Sequence, residues 1–195
     1  MNVIQILDYW YSALVDPEKL SQIIAVEDKK HFIVSAVVVA IVVFMDIVAQ
    51  SLLSTQTGFF YYKITYGFIA LFLLHVLCLI IYAGLLTVIL QIGGYQASGG
   101  YIINVLALSQ IPMIFIVPVV LIFKSLYFAP VFFYSAASLA LFIWSLFIAM
   151  RCISQRYQIE TLKTIGYIAL PAILAGVTAF LILVAGGMVL IGLIK

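Results

Sequence analysis

Five apolar runs, each long enough to cross about 30 Å of hydrocarbon at 1.5 Å per residue, constrain this chain more than any other feature. They cover about 32–53, 64–90, 102–123, 131–150 and 165–194. None alternates polar with apolar residues, as a barrel strand must, so each is read as a helix. Composition agrees: 67% of the 195 residues are hydrophobic and 8% are charged. A soluble domain carries roughly a quarter of its residues as charges. With so few, lipid must solvate most of the surface. The expected fold class is all-α, a polytopic membrane bundle of about five transmembrane helices with an amphipathic interfacial helix before them. The expected division is a cytoplasmic amphipathic segment, 1–30, and a transmembrane domain, 31–195.

Loop charges set the expected orientation. With the N-terminus inside, the inner segments hold Lys19, Lys29, Lys30, Arg151, Arg156 and Lys163, and the outer ones Lys63, Lys124 and Lys195. Six against three favours N-in and C-out. Aromatic clusters mark the outer boundary: Phe59, Phe60, Tyr61 and Tyr62 before the second run, and Tyr127, Phe128, Phe132 and Phe133 around the start of the fourth. Their rings suit headgroup depth.

The amphipathic segment places Val3, Ile4, Leu7, Trp10, Tyr11 and Leu14 at three- and four-residue spacing, with Asn2, Gln5, Asp8 and Ser12 opposite. Such a helix either lies in the membrane plane or packs under the bundle. It lacks the lysine-rich face that binds anionic lipid. Asp16-Pro17 ends it and starts a second short helix with Leu20, Ile23 and Ile24 on one face.

Chemistry-bearing residues are few. Within the runs stand one acid, Asp46, and one histidine, His75. An ionisable group at membrane depth is costly and marks a candidate site. Counting from the outer ends, the two differ in depth by roughly 6 Å, on consecutive antiparallel helices. They are expected to face the bundle interior, and could pair there directly or through water. Gln50 and Asn104 stand near enough to add hydrogen bonds. Two readings stay open: a structural tie between helices, or a proton relay or binding site. Pro112 and Pro118 are expected to kink the third helix and Pro171 the fifth, with Ser109 and Gln110 satisfying the groups that Pro112 frees. Ala172, Gly176 and Ala179 form a small-residue stripe expected to pack within the bundle.

Several classes lose support. His75, Cys78 and Asp46 are scattered rather than set in a ligand motif, so no metal is expected. Cys78 and Cys152 are read as free thiols. No nucleophile–base pair, His-Glu-x-x-His helix or second intramembrane acid supports an enzyme, and no cofactor is expected. The glycine-rich loop 91–100 has no lysine of a phosphate-binding loop. A net charge of +2 without a basic stripe gives nucleic acid no footprint.

The order of several short features resembles the Yip1 domain family of five-span membrane proteins. These are a proline-bearing amphipathic segment, Leu14-Val-Asp-Pro-Glu-Lys-Leu20; a loop from Gly93-Gly94 through Ser98-Gly99-Gly100; a small and polar stretch ending at Pro112; Trp144 in the fourth span; and a polar loop, 154–163. The resemblance covers about 14–187. It implies five helices with N-in, C-out orientation. Eukaryotic relatives act in early secretory traffic and contact Rab GTPases and partner membrane proteins. They carry a longer N-terminal region and an Asp-Leu-Tyr-Gly-Pro motif. This chain has neither, so Rab-type binding does not carry over, and a prokaryotic-type member in a cell membrane is implied. The expected partners are the lipid bilayer, other membrane proteins or a second copy. The leading expectation is a non-enzymatic protein that organises membrane or partners. The alternative is a small transporter, proton path or lipid-handling protein built on Asp46 and His75.

Overall fold

The computed structural model describes residues 3–24, 29–54, 58–126 and 129–194. Nine α-helices occur among them: α1 (Val3–Val15), α2 (Pro17–Ile24), α3 (Lys29–Leu53), α4 (Phe59–Tyr62), α5 (Phe68–Ile92), α6 (Gly99–Leu108), α7 (Ile116–Ser125), α8 (Pro130–Tyr157) and α9 (Thr161–Ile194). A widened π-type turn, Lys63–Gly67, joins α4 to α5, and a 3-10 segment, Ile111–Phe115, lies between α6 and α7.

Five helical stretches among the described residues are long and apolar enough to cross a membrane: Lys30–Leu53, Phe60–Ile92, Gly99–Ser125, Pro130–Tyr157 and Thr161–Thr178. They match the five runs in order and number, and the protein is an integral membrane protein. The exposed side chains are those of a bundle bathed in lipid, with Leu73, Leu77, Leu139, Phe142 and Ile143 all more than half exposed. Phe60, Tyr61 and Tyr62 are exposed at the entry to span two, as a headgroup belt requires. Tyr127 and Phe128 lie outside the described residues. Both cysteines are free.

Span three (α6 to α7) runs through the middle. It packs against span one (α3) on one side and span four (α8) on the other, while span two (α5) lies against α3 and α6, and span five (α9) against α5 and α8. Span three is broken where the prolines predict. Helix α6 stops at Leu108, Pro112 sits in the 3-10 segment, and α7 restarts with Pro118 in its first turn, where a missing N–H costs nothing. Ser109 Oγ donates to the Leu106 carbonyl at 3.0 Å, but the Gln110 side chain leaves its own helix altogether. The buried Pro171, by contrast, is carried inside α9 without a break in the helix.

Burial is uneven across the membrane. The face carrying the α1–α2 connection's neighbours, the loop 93–98 and the α8–α9 turn is called here the N-terminal face. The main core lies toward it and joins Tyr9, Ala13, Leu20 and Ile24 of the first two helices to Val38, Leu86, Leu90, Ile102, Val105, Ile148 and Ile153 of the spans. Toward the opposite face a separate core buries, among the described residues, Ala49, Ile116, Val120 and Leu141. Beyond Pro171, residues 172–178 of span five are all exposed, and a Cβ on Gly176 would meet nothing within 4 Å. Ala172 and Gly176 therefore do not pack within the bundle as expected, and the Ala179 side chain lies outside the described residues. Tyr82 ties span five to span two at Ile168, before the stripe begins.

Helices α1 and α2 form a hairpin docked into the bundle, which decides between the two expected placements. Asp16 Oδ1 accepts the Lys19 N–H at 3.1 Å, an Asp N-cap followed by proline in the first turn of α2. Leu20, Ser21 and Ile24 are buried, as the second helix's pattern predicts apart from Ser21. The buried face of α1 differs from expectation. Tyr9, Ser12 and Ala13 are buried, Trp10 and Leu14 half-buried, and Tyr11 is 60% exposed. Side chains 3–7 lie outside the described residues. The pattern is that of a helix wedged among others rather than floating on a plane. Small residues at 12 and 13 allow α1 to approach the 3-10 segment of span three.

The hairpin's direction can be read from Cys152 of α8. A helical side chain leans toward the helix N-terminus, and its carbonyl points toward the C-terminus. Cys152 Sγ meets the Pro17 carbonyl at 3.2 Å, whereas the Cys152 carbonyl accepts Ser21 Oγ at 3.3 Å. Since α8 ends at the N-terminal face, Pro17 lies deeper than Ser21. The turn at Asp16 is therefore the inner end of the hairpin. The contact of α1 with the 3-10 segment, more than ten residues into span three, agrees.

Candidate functional site

Asp46 lies in α3, half-buried, with both oxygens occupied. Tyr134 of span four donates to Oδ1 at 2.9 Å, and Gln50, one turn along α3, donates from Nε2 to Oδ2 at 2.7 Å. The Gln50 Oε1 in turn accepts the Lys63 ammonium at 2.5 Å. A carboxylate and an ammonium are thus joined through an amide that donates to one and accepts from the other. The widened turn at Lys63–Gly67 places Lys63, half-buried, at this point, and Lys124 of span three donates to the Leu52 carbonyl nearby. The predicted Gln50 contribution is therefore present.

His75 is half-buried in span two and points to span three rather than to Asp46. Its Nε2 is hydrogen-bonded to Gln110 Oε1 at 2.8 Å. Direct pairing of Asp46 with His75 is thus corrected. Each has its own partner, and neither hydrogen-bonds the other. Residue counting sets depth but not rotation about the helix axis, and the two helices turn these side chains toward different neighbours. Gln110, expected to satisfy the backbone beside Pro112, instead serves His75. Asn104, expected near the pair, accepts Ser35 Oγ at 2.8 Å and ties span three to span one.

Two polar groupings lie toward the N-terminal face. Tyr9 of α1 and His31, in the first turn of span one, are hydrogen-bonded at 2.5 Å through His31 Nδ1, with the rings edge-on at 5.7 Å. Both are 7% exposed. His31 carries no distinguishing signal in the sequence: it follows two lysines at a span boundary, where a histidine reads as a headgroup residue. Its buried partner comes from 22 positions earlier, beyond local pattern. The second grouping is Tyr101, Ser21 and Cys152. Tyr101 Oη lies 2.9 Å from Ser21 Oγ and donates to the Cys152 carbonyl at 3.1 Å, and Arg156 stands 5.6 Å from the Tyr101 ring centre.

Outside the spans, the Lys19 ammonium donates to Asp8 Oδ1 at 2.7 Å across the hairpin. That hydrogen bond is the main reason its pKa lies above the usual lysine value. No group of three or more His, Cys, Asp or Glu able to hold a metal occurs among the described residues.

Chemically, these arrangements tie helices in pairs. Asp46–Tyr134 joins spans one and four, Ser35–Asn104 one and three, His75–Gln110 two and three, and Tyr82 to the Ile168 carbonyl two and five. No family model, curated protein or solved structure matches the chain.

Proposed function

We propose that this integral membrane protein is a non-enzymatic, Yip1-like organiser of membrane or partner proteins, with its N-terminal face in the cytoplasm. One observation carries the non-enzymatic part: the amide and ionisable side chains deep in the spans are each engaged in a bond between a different pair of helices. Polar side chains used this way hold a bundle together, at about 0.6 kcal/mol each on average in membrane proteins. The resemblance supplies the membrane-organising part. Its motifs fall at the hairpin turn, the connection between spans two and three, the break in span three and the α8–α9 turn. The charge count supplies the orientation. A thiol probe placed at residue 98 should be shielded from an impermeant reagent outside the cell, and one at residue 124 should be reached.

A second reading, a small transporter or proton path, draws on the bonded run Lys63–Gln50–Asp46–Tyr134. Reconstitution in liposomes holding a pH-sensitive dye separates the two. The organiser reading expects no proton flux under an imposed gradient, with or without Asp46→Asn. Flux in the native protein that Asp46→Asn abolishes, with the fold intact, overturns it.

A further inference from the structure

We infer that the docked hairpin makes the molecule a one-leaflet wedge whose preferred partner is a membrane curved outward on its N-terminal face. This deepens the membrane-organising reading and rests on it.

Three observations carry the inference. The hairpin belongs to one side only. Helices α1 and α2 share the core that lies toward the N-terminal face, and among the described residues the core toward the other face contains none of theirs. The hairpin also lies alongside spans three and four rather than beyond their ends. Its Asp16 turn is the inner end, Pro17 meets Cys152 Sγ, and α1 touches the 3-10 segment of span three. Finally, its outer face suits the boundary between headgroups and acyl chains. Tyr11 and Val15 are about 60% exposed, Glu18, Lys19 and Gln22 are exposed, and Asp8 and Lys19 neutralise each other.

The physical consequence follows from area. Each helix is about 10 Å across with its side chains. Two of them inserted beside five spans enlarge the protein's section in one leaflet and leave the other unchanged. Where that leaflet bends outward, its lipids are spread apart, and the added section fills the gap instead of compressing neighbours. Amphipathic helices at this depth respond to curvature for the same reason. Here the insertion is held by the bundle rather than by headgroup charge. Residues 3–24 carry Asp8, Asp16 and Glu18 against Lys19, a net of −2, which anionic lipid repels. Curvature preference should therefore not need anionic lipid.

The test uses the full chain in vesicles of zwitterionic lipid spanning a range of diameters. A fluorophore on the N-terminal face and an impermeant quencher report the orientation of each copy. Copies with the N-terminal face outward should rise severalfold in surface density from the largest to the smallest vesicles, and copies facing inward should fall. The opposite trends within one preparation cancel any effect of loading or folding. Flat density in both orientations, the same trend in both, or sorting that appears only with anionic lipid overturns the wedge. The proton-flux assay is independent of vesicle size. A silent protein that fails to sort loses the wedge and keeps the non-enzymatic reading.

Discussion

The two halves of the bundle are built differently. Toward the N-terminal face, all five spans and the hairpin share one core, with Ala13, Leu20, Ala83, Leu86, Leu90, Ile102 and Ile153 at 0% exposure. Toward the opposite face, spans one, three and four meet at four buried residues among those described. Among the described residues spans two and five contribute none, and stability there leans on Asp46, Tyr134, Gln50 and Lys63. In lipid, apolar side chains gain little from leaving one apolar surrounding for another, so close packing and hydrogen bonds hold helices together. The larger apolar core belongs to one half, and the other leans more on a polar network, so the two should break differently.

The largest effect should come from the packed half. Leu20→Ala empties a fully buried position and should cost about 2–5 kcal/mol, read from unfolding midpoints in detergent. Leu139→Ala, at a lipid-facing position 62% exposed, should stay within about 0.5 kcal/mol. Equal losses at the two sites would erase the contrast.

In the polar half, Asp46→Leu leaves the Tyr134 hydroxyl and the Gln50 amide without their acceptor. It should lower stability by about 1–3 kcal/mol. Asp46→Asn keeps an oxygen for Tyr134 and should recover most of that loss. An asparagine variant as unstable as the leucine one would show that the charge, not the acceptor, holds spans one and four together.

A smaller effect is expected for His75 and Gln110. A double-mutant cycle with His75→Phe and Gln110→Leu should give a coupling between about 0.6 and 1.7 kcal/mol. A second cycle, His75→Phe with Asp46→Leu, should give none, because the two residues have separate partners. Coupling in the second cycle but not in the first would restore the direct pair.

The smallest effect belongs to the exposed Lys19–Asp8 pair. Its sign is fixed by the raised lysine pKa. The pair's contribution is fully present below the unfolded lysine value, 10.5, and is lost as pH rises through the folded one. Across neutral pH, Asp8→Asn should therefore shift the melting midpoint by a small amount that does not vary with pH and shrinks with added salt.

Much of the fold was legible because span length and apolarity are local properties. So were the proline break, the Asp16-Pro17 start of α2 and the exposed aromatic belt. What was not legible is rotation. Asp46 and His75 had the right depths to meet, yet Asp46 turns toward Tyr134 and His75 toward Gln110. Rotation of a helix is set by packing against all its neighbours. The hairpin failed in the same way. The apolar spacing of α1 alone gives the face of a helix on a plane, whereas Ser12 and Ala13 are buried where α1 meets the bundle. Ser12 Oγ is buried without a hydrogen-bond partner, a cost no local pattern would select.

The seat of the hairpin also has a place in time. Its partners are Tyr101 in span three and Cys152 in span four, 80 and 131 positions beyond Ser21. At about 5–20 residues per second, a ribosome adds the residues between Ser21 and Cys152 in on the order of ten seconds. Through that interval Leu20 and Ile24 lack the partners that bury them, although they are made before the five spans that follow. The hairpin thus precedes the five spans in synthesis and is seated only after span four. Its docking closes the bundle only when span four has crossed.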